Sequence, residues 1–258
     1  MRLAITSLAL SLLLTAVAGC KPRSHELAPG MYRAVVELPG GEVPFGLDVK
    51  RENGGFVLYL VNGKERVRVA ATVDANGRLV AELPGSVNHL EATVSGDDLE
   101  GEVTLSGAAQ SMGREARAQA NPGAPPSGGR ATVLTFSATR GPGWRFVEEP
   151  LTDNADFSGT WNITFTDDRG TTTRGVADLA QSFHTVTGTV RTAGGGDTTL
   201  AGDARDEELQ LSLFDGTQAV LYHGKLDERG RLVGECWSTS SGHARYTAVR
   251  NPEATLER

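Results

Sequence analysis

Cys20 is the residue whose neighbours say most about its chemistry. It closes the run Val17-Ala18-Gly19-Cys20, directly after an uncharged apolar stretch from Leu3 to Val17, with Arg2 ahead of that stretch. Small residues before a cysteine form a lipobox: the thiol takes a thioether-linked diacylglycerol, and the chain is cut between Gly19 and Cys20. The apolar stretch is too short, and too closely followed by the cut, to be a spanning helix. An ordinary secretory peptide would explain the small residues but not the cysteine. The mature chain is therefore expected to start at Cys20 and to be held on a membrane by several acyl chains, since one alone binds only marginally. Lys21 stands where some bacteria place an aspartate as an inner-membrane retention signal. The expected location is the cell envelope, facing the periplasm, on the outer membrane.

The other chemically capable residues do not assemble into a motif. With Cys20 lipidated, Cys236 is left alone, so no intramolecular disulfide and no C-x-x-C couple is expected. In Leu232-Val233-Gly234-Glu235-Cys236-Trp237 the thiol shares a strand face with Leu232, which reads as an inert packed cysteine. His25, His89, His184, His223 and His243 form no H-x-H, H-x-x-x-H or H-E-x-x-H spacing, so no metal is expected. G-x-S-x-G is absent, and Ser238 to Gly242 reads as a loop. Asp97-Asp98, Asp167-Asp168 and Glu207-Glu208 fall in or beside turns and read as solvated charges. Gly194-Gly195-Gly196 opens no helix and so is no phosphate cradle. The chain is expected to be neither an enzyme nor a cofactor protein.

The elements that must position these residues are strands. The 258 residues carry a formal charge of −7, and removing Arg2 with the leader leaves 24 basic against 32 acidic. No basic tract is interleaved with aromatics, which argues against nucleic acid. After residue 20 short alternating segments are broken by turn signals such as Asn76-Gly77, Asn53-Gly54-Gly55 and Asp227 to Gly230. Eight strands are expected at 31–38, 43–50, 55–61, 65–73, 78–83, 88–95, 98–105 and 131–140. Eight more are expected at 158–166, 172–181, 184–192, 197–203, 207–214, 217–225, 231–238 and 243–250. The halves repeat: Gly30-Met31-Tyr32 against Gly159-Thr160-Trp161, Leu79-x-x-x-Leu83 against Leu209-x-x-x-Leu213, and Leu99-Glu100-Gly101 against Leu232-Val233-Gly234. The expected fold is all-β, with two consecutive eight-stranded antiparallel up-and-down barrels of lipocalin or streptavidin type, which leave no open edge. A sandwich is the alternative. The expected organisation is a leader over 1–19, a lipidated tether over 20–29 and barrel domains over 30–141 and 157–251. A Gly/Ala/Pro/Ser-rich mobile loop over 106–130 interrupts the first barrel, a linker over 142–156 joins the two, and a tail covers 252–258.

The runs LPGGEVPFGLDVKRENGGFVLYLVNGKERVRV, FSGTWNITFTDDRGTTT and LSLFDGTQAVLYHGKLDERGRLVGECWS resemble the β-rich N-terminal region of TlpA-like thioredoxin-fold lipoproteins. The resemblance spans about 30–252 and rests on patterned strands and turns. The C-x-x-C domain that does that family's chemistry has no counterpart here, so no catalytic residue transfers. What the resemblance implies is an accessory or binding module for a periplasmic thiol-redox partner. The residues themselves offer another reading. Alternate residues of a barrel point inward, and Tyr32, Trp161, Phe214, Tyr222, Trp237 and Tyr246 could line a pocket for a small hydrophobic ligand, as in a lipocalin-like carrier. Simple core filling is the plainer account of them and the favoured one.

Overall fold

A computed structural model describes residues 25–85, 87–106, 131–141, 143–149, 153–193 and 196–254. Gly19, Cys20 and nearly all of the loop 106–130 lie outside the described residues. The first barrel is built from β1 (Gly30–Leu38), β2 (Gly41–Glu52), β3 (Gly55–Asn62), β4 (Glu65–Val73), β5 (Arg78–Glu82), β6 (His89–Ser95), β7 (Asp98–Leu105) and β8 (Thr132–Arg140). The second comprises β9 (Gly159–Asp167), β10 (Thr172–Ser182), β11 (Thr185–Thr192), β12 (Asp197–Arg205), β13 (Glu208–Phe214), β14 (Ala219–Leu226), β15 (Leu232–Ser238) and β16 (Gly242–Arg250). In each, every strand pairs antiparallel with its sequence neighbours and the last closes on the first. The sandwich alternative is thereby excluded. Closure follows from the sequence, because each strand alternates one buried face with one wetter face and tight turns join nearly all of them.

The two barrels repeat in register as well as in order. Tyr32 of β1 faces Leu47 and Arg140, and Trp161 of β9 faces Ala177 and Arg250. Each aromatic plugs one end of its barrel and bonds back four residues: Tyr32 Oη donates to Ala28 O at 2.8 Å, and Trp161 Nε1 to Phe157 O at 2.9 Å. Gly30 and Gly159, two residues earlier, take φ of +141° and +111°, where an L side chain would be strained. Arg250 covers the Trp161 ring at 4.8 Å from its centroid and pairs with Asp156. In the same register, Arg140 lies against Gly30 and pairs with Asp97.

The barrels share a core. Ala219 and Leu221 of β14 and Phe214 of β13 point away from the second barrel and belong to the apolar cluster of the first. The Phe214 ring sits 4.6 Å from that of Phe45. The wall of the second barrel is thus a stopper in one end of the first, whose other end is filled by Leu27 and Tyr32. Residues 143–149 are a wedge in this junction rather than a bare linker. Trp144 lies under the Arg33 guanidinium, and the Phe146 and Val147 amides donate to the buried Asp203 carboxylate. Arg145 reaches into the seam and donates to Ser212 Oγ, Ser212 O and Asn62 Oδ1 at 2.9–3.0 Å. Burial lowers the Arg145 pKa to about 10, so it stays cationic at neutral pH.

Candidate functional site

The inward positions of the second barrel start at Trp161 on the floor and end at the rim where β9, β11, β13 and β15 finish. Inward positions in the first barrel provide an internal comparison, because strand pairing fixes which residue corresponds to which. Near the stoppered end of the first barrel stand Val43, Phe45, Val103, Leu105 and Leu134. Their counterparts in the second are Thr173, Gly175, Cys236, Ser238 and Ala244. Each is smaller or more polar. The first set is buried beneath the neighbouring barrel, whereas Thr173, Cys236, Ser238 and Ala244 are only half-buried. One copy of the fold is filled and sealed. The other is open to water at its half-buried rim, and Phe165 packs into the space that Gly175 leaves.

Below that rim, Leu90 and Phe136 of the first barrel are replaced by Tyr222 and Tyr246. The two phenol rings meet edge to face with centroids 5.6 Å apart, and Phe165 lies within 6.3 Å of both. Gly224 leaves room for the Tyr246 hydroxyl, since a Cβ there would lie 2.2 Å from it. Among the described residues neither hydroxyl has a hydrogen-bond partner, although Tyr246 is buried and Tyr222 half-buried. Every wholly enclosed polar side-chain atom of the described residues does have one, so each of these hydroxyls must border space that water can enter. A dry, unpaired phenol would cost about 1–3 kcal/mol. Burial pushes both phenols far above their ordinary pKa, and with them the Cys236 thiol, to about 12. All three are neutral at neutral pH, and Cys236 is no thiolate nucleophile.

The six aromatics expected to line a pocket therefore divide. Tyr222 and Tyr246 come together in one interior. Tyr32 and Trp161 are the end plugs of different barrels. Phe214 and Trp237 face outward from the second barrel. Phe214 stoppers the first barrel, and Trp237 packs on the β1–β2 turn, where a Cβ on Gly40 would lie 2.1 Å from its ring. The six thus do not gather around one space: alternation gives a residue's face but not what covers that face. Phe165 and Cys236 belong to the site and were legible in the alternation of β9 and β15. The exchange of Phe45 and Leu134 for Gly175 and Ala244, with Phe165 packed against Gly175, shows only when the two halves are compared position by position.

Two other places were weighed. An open depression of about 320 Å³ at the plugged end of the first barrel is lined by His25, Leu27, Arg51, Phe56 and Asp74. Its charges are already engaged, Arg51 by Glu26 and Asp74 by the Asn76 and Arg78 amides. On the outer wall of β14–β16, His243 stacks on Trp237 and bonds Asp168 at 2.7 Å, with His223 edge-on to the indole. Burial lowers the His223 pKa. Nothing nucleophilic bonds either imidazole, and among the described residues no cluster of three His, Cys, Asp or Glu could hold a metal.

No protein-family model matches this chain, and no curated protein does. Among solved structures it is similar to a protein of unknown function from the DUF3598 family of Nostoc punctiforme PCC 73102. That match has 13% identity over 85% of this chain and 94% of the other, with a TM-score of 0.27. A similarity that distant says nothing of this chain's activity.

Proposed function

We propose that this is a non-catalytic binding protein of the bacterial cell envelope. It is anchored through a diacylglycerol on Cys20 and faces the periplasm, and its second barrel carries a small hydrophobic ligand while the first acts as a sealed support. One observation carries the reading: two inward phenols, neither with a hydrogen-bond partner among the described residues, sit under a half-buried rim, at positions where the sister barrel is stoppered. Pockets of this kind pair apolar walls with a few placed polar groups. The TlpA-like resemblance supports a second expectation, a thiol-redox protein as partner. The protonated, inward-facing Cys236 adds nothing to it.

Native mass spectrometry of the acylated protein extracted from its own membrane tests the proposal. A small bound mass is expected on the wild type and is expected to vanish from Ala244→Leu, which restores the residue of the sealed barrel. A wild type that carries no small mass, alone or after incubation with membrane lipid extract, would sink it. A stoichiometric protein neighbour in its place would favour the redox accessory.

A further inference from the structure

We infer that the second barrel selects an uncharged, largely apolar molecule that presents a carbonyl or hydroxyl oxygen to the paired phenols of Tyr222 and Tyr246. This rests on the carrier reading and goes further by stating the chemistry of the cargo.

The walls settle the apolar part. Ile163, Phe165, Leu179, Val190, Leu200 and Leu211 share the inward face around the two tyrosines. The strand register also shows which polar groups are missing. Within β9–β16, the only charged residues on the inward face are Asp167 and Arg250, at its two ends. Asp167 Oδ1 is held by the Arg169 and Thr171 amides of its own turn. Arg250 lies against the Trp161 ring and is paired with Asp156. Neither end offers a free countercharge to the space around the phenols. An ionised ligand would lose its hydration there and gain no opposite charge, which a buried charge requires.

The phenols supply the polar part. A phenol can donate one hydrogen bond and accept others, so two whose rings stand 5.6 Å apart are close enough to donate to a single carbonyl, or to bracket a hydroxyl, that enters between them. Burial keeps both protonated, hence able to donate. The Cys236 thiol lies near both rings, strand-paired to Tyr222, and is a weak donor that adds no charge. A ligand without any oxygen would leave both hydroxyls as they are now. A ligand with one would satisfy them, and a site whose polar groups are built for that oxygen rejects the analogue lacking it.

The test uses prodan, a neutral naphthyl ketone whose emission moves to the red when its carbonyl accepts a hydrogen bond, and the matching dimethylamino-naphthoate, which is ionised at pH 7. Prodan is expected to bind the full chain at one site, with emission to the red of its value in hydrocarbon, and the naphthoate at least about tenfold more weakly. Tyr222→Phe with Tyr246→Phe is expected to shift the emission to the blue and weaken prodan about tenfold. The emission and the ketone-to-carboxylate ratio are both read on the wild type, so the test survives a variant that folds poorly. Equal binding of ketone and carboxylate, or hydrocarbon-like emission from bound prodan, overturns the inferred cargo chemistry and leaves the carrier reading standing. If neither probe binds, and wild type and Ala244→Leu are indistinguishable, both fall.

Discussion

Arg145 sits in a Gly- and Pro-flanked stretch where no periodicity points to a role, yet it is the most deeply set cation at the seam between the barrels. Its guanidinium satisfies the Ser212 hydroxyl and carbonyl and the Asn62 amide oxygen, and Asp203 supplies the nearby negative charge. Arg145→Met would remove the charged donor of three hydrogen bonds at the seam, while Asp203 and Asn62 Oδ1 keep their amide donors. The expected loss is about 1.5–3 kcal/mol, read as a lower midpoint in denaturant. Arg145→Lys should recover only part of it, because an ammonium cannot reproduce the planar fork. The inward faces of Cys236, Tyr222 and Tyr246 could be read from alternation alone. Phe214 and Trp237 could not be assigned in the same way. They stand on the outer face of the second barrel, and it is the first barrel, far away in sequence, that makes that face buried.

At the level of elements, the sixteen expected strands agree with those observed to within about two residues. The reason is local: alternation and positive-φ turn residues such as Gly77 and Gly230 fix a hairpin without help from distant chain. The match between Leu99-Glu100-Gly101 and Leu232-Val233-Gly234 also has a physical meaning. Both glycines lie in the seventh strand of their barrel, where the strand presses on the sixth. A Cβ on Gly101 would lie 2.0 Å from Glu91 O, and one on Gly234 1.9 Å from His223 O. Barrels need such close approaches to curl shut. Gly101→Ala and Gly234→Ala are each expected to cost about 1–3 kcal/mol, as overpacking against backbone does, with thermal midpoints falling in both. A variant as stable as the wild type would show that the strand can move aside. The wedge over 143–149 was not legible, since it is held by its side chains and not by a repeating pattern.

For the whole molecule, the buried weak acids set a limit on the alkaline side. Cys236, Tyr222 and Tyr246 stay protonated in the fold, whereas in the unfolded chain they ionise near their ordinary values of 9.0 and 10.0. Above those values the unfolded state has released protons that the folded state still holds, so stability falls with rising pH. The free energy of unfolding should be flat from pH 7 to about 9 and then drop, by about 1.4 kcal/mol per pH unit for each such group, and the thermal midpoint should fall with it. Cys236→Ala combined with the two Tyr→Phe changes should flatten that drop, and an unchanged slope would refute the assignment. The shared core has a consequence in time as well. The stopper of the first barrel is made of Phe214, Ala219 and Leu221, and the seam joins Ser212 to Pro44, 168 residues earlier. A ribosome finishes the first eight strands well before it makes β13 and β14. During synthesis the leading half must therefore wait with Phe45 uncovered, a vulnerable interval in which a holding chaperone would find its target and premature stalling would leave an aggregation-prone fragment.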